Sequence, residues 1–168
     1  MSQKAVFFDR DGTLNVDMDY LYKVEELRWM PHAREALAYL SQRGYLIFVI
    51  TNQSGVARGY YTVEQMQELH LRMASDVEAY GAHIEKFYYC PHHKDGKVKE
   101  YAIDCDCRKP KPGMLLQCFK EYDIDIAQSF LIGDSERDVE CAKAVGMKGY
   151  LYQSGSLREM VMKVLQEI

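Results

Sequence analysis

The chain has 168 residues, 48% hydrophobic and 27% charged, with a net charge of −4. That length suits one domain, residues 1–168, with a sizeable core. The acidic balance excludes a general attraction to nucleic acid or an anionic membrane, so any anionic ligand must be held by a local cluster of cations and backbone N–H groups. The apolar run Ala5 to Phe8 is too short for a signal peptide, and no stretch nears ~18 apolar residues, so a cytoplasmic protein is expected. Five cysteines in a reducing compartment argue against a disulfide framework, and Cys90, Cys105 and Cys107 crowd together as metal ligands do. Without a long apolar edge or a heptad pattern, a monomer is expected.

Strands and helices alternate, which predicts a doubly wound α/β fold with a parallel sheet covered on both faces. Lys4–Phe8 reads as a first buried strand, Ala33–Gln42 as a helix closed by Gly44, and Tyr45–Ile50 as a second strand. Thr62 with Gln65 three residues on forms a capping box for a long helix to about Tyr80. Ile84–Tyr89 is a third strand and Gly113–Tyr122 a helix. Ser129–Ile132 is a fourth strand ending in Gly133-Asp134, and Glu136–Val145 a helix stopped by Gly146. Lys148–Tyr152 is a fifth strand and Ser156–Glu167 a last helix. Only Pro91 to Pro112 resists the pattern, and a structureless loop of that length needs a reason.

Ligands of open α/β sheets bind outside the carboxyl ends of the strands. Asp9-Arg10-Asp11-Gly12-Thr13 follows the first strand, Thr51-Asn52-Gln53-Ser54 the second, and Gly133-Asp134, with Asp138 one helical turn on, the fourth. Asp9, Asp11 and Asp134 should therefore converge, an arrangement that repulsion disfavours unless a cation sits among them. Oxygen ligands suit Mg²⁺. One carboxylate, Asp9, could attack phosphorus, while Asp11 gives and takes the proton. Thr51 and the N–H groups after it could hold phosphoryl oxygens, Lys109 could offset transition-state charge, and Arg108 could pair with a second anionic group.

Cys90-Pro91-His92 and Cys105-Asp106-Cys107 enclose twelve residues, spacing that suits a closed, structural Cys₃His metal site, with His93 the rival to His92. Such a site would order the loop of about 90–108 and set Arg108 and Lys109 over the carboxylates. Cys118 and Cys141 fall in predicted helices and read as packed thiols.

Asp9-Arg10-Asp11-Gly12-Thr13, Thr51-Asn52-Gln53, Lys109 and Gly133-Asp134 together resemble the four motifs of the haloacid dehalogenase superfamily of phosphatases. The resemblance implies an aspartyl-phosphate on Asp9, acid/base action by Asp11, and Mg²⁺ held by Asp9, the backbone carbonyl of Asp11, and Asp134. Within the superfamily, the cysteine loop is similar to those of the heptose-bisphosphate and histidinol-phosphate phosphatase families. Asn15-Val16-Asp17, Gln53-Ser54-Gly55-Val56-Ala57-Arg58-Gly59, Cys90-Pro91-His92-His93 and Arg108-Lys109-Pro110-Lys111-Pro112-Gly113-Met114 favour the former. It implies hydrolysis of a sugar bisphosphate toward bacterial surface polysaccharide, and structural Zn²⁺ on Cys90, His92, Cys105 and Cys107. It also implies substrate contacts from Asp17, Met18, Asp19, Tyr20, Thr51, Asn52, Gln53, Ser54, Arg108 and Lys109. Ser135 departs from relatives that carry Lys after the motif-four Asp, and Arg58 or Lys111 could compensate. Neither the stretch after Asp11 nor Tyr61 to Ile84 is long enough for a large cap domain.

Overall fold

The computed structural model describes residues 2–168. Four-residue to seven-residue strands β1 (Ala5–Phe8), β2 (Leu46–Asn52), β3 (Lys86–Cys90), β4 (Phe130–Gly133) and β5 (Lys148–Leu151) form one parallel sheet in the order β3-β2-β1-β4-β5. The helices are α1 (Ala33–Gln42), α2 (Val63–Glu78), α3 (Gly113–Glu121), α4 (Glu136–Lys143) and α5 (Leu157–Glu167).

Strand alternation sorts the apolar residues between two layers. Val6 and Phe8, Ile47 and Val49, and Phe130 and Ile132 turn to one face, where Leu37, Leu69 and Val161 bring α1, α2 and α5 against them. Ala5 and Phe7, Phe48 and Ile50, and Leu131 turn to the other, against Leu115 and Cys118 of α3 and Cys141 of α4. Both thiols expected to be packed are thus core residues. Burying this much apolar surface on both faces explains why the strands read as nearly unbroken hydrophobic runs.

The capping box at Thr62 is formed: its hydroxyl accepts from Gln65 N at 3.1 Å, and Gln65 Oε1 accepts from Thr62 N at 2.9 Å. A second one, at Ser135, was not read from the sequence. Ser135 Oγ accepts from Arg137 N, and Asp138 Oδ2 accepts from Ser135 N at 3.2 Å.

β1 lies at the centre, with the chain running outward to β2 and β3 on one side and to β4 and β5 on the other. Phe8 is in register with both Val49 and Ile132, so the segments after β1, β2 and β4 leave the sheet at one edge and side by side. Asp9 is fixed at the start of its loop by donating its N–H to Ile132 O at 3.1 Å. Between β1 and α1 the chain forms only turns and the one-turn helix Val24–Glu26, and between β2 and β3 the sole regular element is α2. No helix among the described residues is long and apolar enough to cross a membrane.

Candidate active site

A cleft of about 290 Å³ opens at that sheet edge, at the small end of the range for ligand sites. Asp9, Asp11 and Asp134 line it, as do Asp17, Asp19, Tyr20, Asn52, Gln53, Ser54, Arg108 and Lys109. Thr51 and Met18 do not. Thr51 is buried and its hydroxyl accepts from Gln53 Nε2 at 2.8 Å, and Met18 faces solvent.

Lys109 is buried beneath the carboxylates. Its Nζ donates to Asp9 Oδ1 at 2.8 Å, Asp138 Oδ1 at 2.6 Å and Ile50 O at 2.9 Å, which uses all three of its protons. Burial alone would lower its pKa, but the two carboxylates outweigh that and hold it above the ordinary lysine value. Burial raises Asp9 well above the usual carboxylate range, Lys109 opposes and Asp138 adds to the rise. Asn52 fixes the lysine from behind, with Oδ1 accepting from Lys109 N at 2.9 Å and Nδ2 donating to Lys109 O at 3.3 Å.

Oxygen atoms of Asp9, Asp134 and Asp138 lie within 4.8 Å of one another. Mg–O distances of about 2.0–2.1 Å put ligand oxygens at most ~4.2 Å apart, so this all-oxygen set fits the ion with little adjustment. The third side chain of this cluster is not that of Asp11 but that of Asp138. Its position one turn into α4 was legible, and the spacing Ser135-Glu136-Arg137-Asp138 is a capping-box signal for the fold-back onto the Ser135 N–H, but nothing in the residue pattern showed the contact with Lys109. Two glycines make room. Gly133 could carry no Cβ, which would fall 2.2 Å from Asp138 Cγ, and Gly12, at φ +86°, would place one 2.0 Å from Asp134 Oδ2.

The Asp11 carboxylate is held by four donors. Arg10 Nε and Nη2 reach Oδ1 at 3.2 and 3.0 Å, Asn15 Nδ2 reaches Oδ1 at 3.0 Å, and Gln53 Nε2 reaches Oδ2 at 3.1 Å. Tyr61 in turn donates to Gln53 Oε1. Arg10 is fully buried, donates to Leu21 O at 3.0 Å, and meets His70 Nε2 at 3.2 Å. Guanidinium only donates, so that imidazole nitrogen accepts; burial, then Arg10, keeps His70 well below its ordinary pKa. Arg10, Asn15, Tyr61 and His70 were not anticipated. A charged residue between two apparently functional aspartates was the one available signal, since a buried Arg there requires a partner.

At the end of β3, Cys90, His92, Cys105 and Cys107 offer ligand atoms that also lie within 4.8 Å of one another, and His93 stands outside the group. Cys90 Sγ lies 2.9 Å from Cys107 and 3.4 Å from Cys105, and His92 Nδ1 lies 3.3 Å from Cys107 Sγ. Tetrahedral zinc at about 2.3 Å from sulfur sets sulfurs ~3.8 Å apart, so the Cys₃His set fits after a slight expansion. A proton shared from Cys107 pulls the Cys90 thiol down to about 5 and pushes Cys107 up, as thiols crowded around a shared ligand position do. The loop is tied to the rest of the cleft at Val98, whose N–H donates to Ala57 O at 2.9 Å.

A family profile described as HAD-hydrolase-like matches residues 106–165. The chain is 42% identical to the D-glycero-beta-D-manno-heptose-1,7-bisphosphate 7-phosphatase of Rhodopseudomonas palustris, over 98% of this chain and 91% of that one. It is 40% identical to the D-glycero-alpha-D-manno-heptose-1,7-bisphosphate 7-phosphatase of Photorhabdus laumondii, over 90% of this chain and 84% of that one. The solved D,D-heptose 1,7-bisphosphate phosphatase of B. bronchiseptica, complexed with magnesium and phosphate, matches with a TM-score of 0.85 and 30% identity, over 98% of this chain and 99% of that one. With this identity across nearly its whole length, the chain belongs to the family of these heptose-bisphosphate phosphatases, among the HAD-like hydrolases.

Proposed function

We propose that the protein removes the 7-phosphate of D-glycero-D-manno-heptose 1,7-bisphosphate through an aspartyl-phosphate on Asp9. The observation that carries this reading is 42% identity to a heptose-bisphosphate 7-phosphatase over a span that includes both the carboxylate cluster and the cysteine loop. These relatives do not favour the histidinol-phosphate alternative.

A free oxygen of Asp9 attacks phosphorus as the bond to the C7 oxygen breaks, and Asp11 delivers the proton that the leaving oxygen needs. Asp11, now ionised, takes a proton from water, whose oxygen attacks the aspartyl-phosphate; inorganic phosphate leaves and Asp9 is restored. The donors from Arg10, Asn15 and Gln53 suit the ionised form that Asp11 must reach in the second step. Lys109 offsets charge on the phosphoryl oxygens from beside the nucleophile.

Mg²⁺ would be held by Asp9 and Asp134, with the carbonyl of Asp11, and would supply charge neutralisation at the phosphoryl group. Asp138, engaged with Lys109, would then sit behind the metal rather than on it. Zn²⁺ on Cys90, His92, Cys105 and Cys107 would be structural, since four protein ligands leave no open position. Asp17, Asp19 and Tyr20 form the exposed wall against which the sugar lies.

Phosphorus NMR of the reaction tests the reading. The C7 monoester resonance should disappear while the anomeric C1 phosphate remains; loss of the C1 phosphate would reject it.

A further inference from the structure

The buried face of α2 carries Met66, Leu69, Met73 and Val77, with His70 in the middle of this otherwise apolar stripe. The His70 ring lies flat on Phe87 of β3, with centroids 4.3 Å apart and planes 11° apart, and its Nε2 meets Arg10 Nη1 at 3.2 Å. An apolar side chain would pack against Phe87 as well. Burying a polar ring there is costly unless it is paired, so the guanidinium it meets is what accounts for it.

Arg10 divides its bonds among three groups. Nε and Nη2 donate to Asp11 Oδ1, Nη2 also donates to Leu21 O, and Nη1 donates to His70. A carboxylate in the place of His70 would share the guanidinium charge with Asp11. Imidazole held neutral by burial and by Arg10 accepts the hydrogen bond without sharing that charge. Asp11 is therefore the one carboxylate paired with Arg10 among the described residues.

The two bonds from Arg10, with one from Asn15 Nδ2, bring three donors onto Asp11 Oδ1, whereas Oδ2 has one, from Gln53. An oxygen with its lone pairs taken up in this way has no room for a proton, so the transferable proton belongs on Oδ2. Which oxygen carries it depends on how Arg10 is turned. We infer that His70 is a positioning residue for proton transfer: by fixing Arg10 Nη1 it keeps Asp11 Oδ1 saturated and presents Oδ2 as the oxygen that protonates the leaving group. This rests on the acid/base reading of Asp11 above. In that step the proton passes from Oδ2 to the C7 oxygen while the P–O bond breaks and the bond from Asp9 to phosphorus forms. His70 and Arg10 keep their own protons throughout.

The test compares two leaving groups, because an alkyl oxygen needs a proton to depart and p-nitrophenolate does not. Release of each is followed in single turnover with enzyme in excess, so that only the first cleavage is read. His70→Phe keeps a ring on Phe87 and removes the acceptor. It should slow release from heptose 1,7-bisphosphate by roughly 10-fold to 100-fold, in the maximal rate rather than in half-saturation, and release from p-nitrophenyl phosphate by no more than about threefold. His70→Gln returns an acceptor at the reach of Nε2 and should recover most of the loss. His70→Asn is too short to reach Arg10, so it should repeat the Phe result, and it carries the test if the Phe variant fails to fold. Equal loss on both esters, which general loosening of the Leu21 segment through Arg10 would give, overturns the proposal. So does an unchanged rate on both, or a Gln variant as slow as Phe. Asp11→Asn separates this from the reading beneath it: it should show the same selective loss, and equal slowing of both esters would overturn the acid role of Asp11 itself.

Discussion

Replacing Lys109 by methionine keeps most of the stem volume and removes one buried charge. Asp9 and Asp138, each within 2.8 Å of Nζ, would then face one another without a cation, and Ile50 O would lose its donor. Breaking a buried pair costs about 3–5 kcal/mol. At about 2–4 °C per kcal/mol for a chain of this size, the metal-free protein should melt roughly 6–20 °C lower than wild type. The pH dependence fixes the cause. Burial already raises Asp9, with Lys109 opposing, so losing Lys109 raises it further. A carboxyl with a folded pKa above its unfolded one binds extra protons in the folded state, so its contribution improves as pH falls through that window. The deficit should therefore shrink between about pH 8 and about pH 5, and adding Asp138→Asn should relieve much of it, with a coupling above ~1 kcal/mol. Calorimetry of the four proteins of this cycle reads all three quantities. A Lys109→Met protein that melts within about 1 °C of wild type at both pH values would refute the buried-charge reasoning.

Asp9→Asn should abolish turnover while leaving the fold and bound zinc intact, and more than ~1% residual activity would move the nucleophile elsewhere. Gly12→Ala forces a side chain into a left-handed backbone, costing about 1–2 kcal/mol, and drives its Cβ into Asp134, so the Mg²⁺ concentration for half-maximal activity should rise about tenfold. An unchanged Mg²⁺ dependence would take Asp134 out of the metal shell. Chelating zinc from the reduced protein should lower kcat/KM and open residues 91–104 to protease, with both reversed by zinc; full activity in a stripped protein would uncouple the loop from catalysis.

The architecture was legible because the three central strands β1, β2 and β4 are buried on both faces and so read as apolar runs, while Thr62, Gly44 and Gly146 punctuate the helices between the strands. Strand ends slid by one or two residues, as at β2, which continues to Asn52 because Thr51 and Asn52 pair with Tyr89 and Cys90. The placement of Asp9 and the clustering of Cys90, His92, Cys105 and Cys107 were legible for a different reason: one follows a buried strand and the others sit in a ligand spacing, with Lys109 two residues beyond it. The supporting shell was not. Arg10, Asn15, Tyr61 and His70 meet Asp11 or its neighbours from segments up to 60 residues away, and a one-dimensional pattern carries no record of such contacts. Thr51 shows the same limit: its strand-end position was legible, but not that its buried hydroxyl accepts from Gln53 Nε2.

The most direct test of the central claim is phosphate release, with Mg²⁺ present, from the α and β anomers of heptose 1,7-bisphosphate and from histidinol phosphate. A kcat/KM on one heptose anomer at least ~100-fold above that on histidinol phosphate is the predicted result. Preference for histidinol phosphate, or equally weak activity on all three, would contradict it.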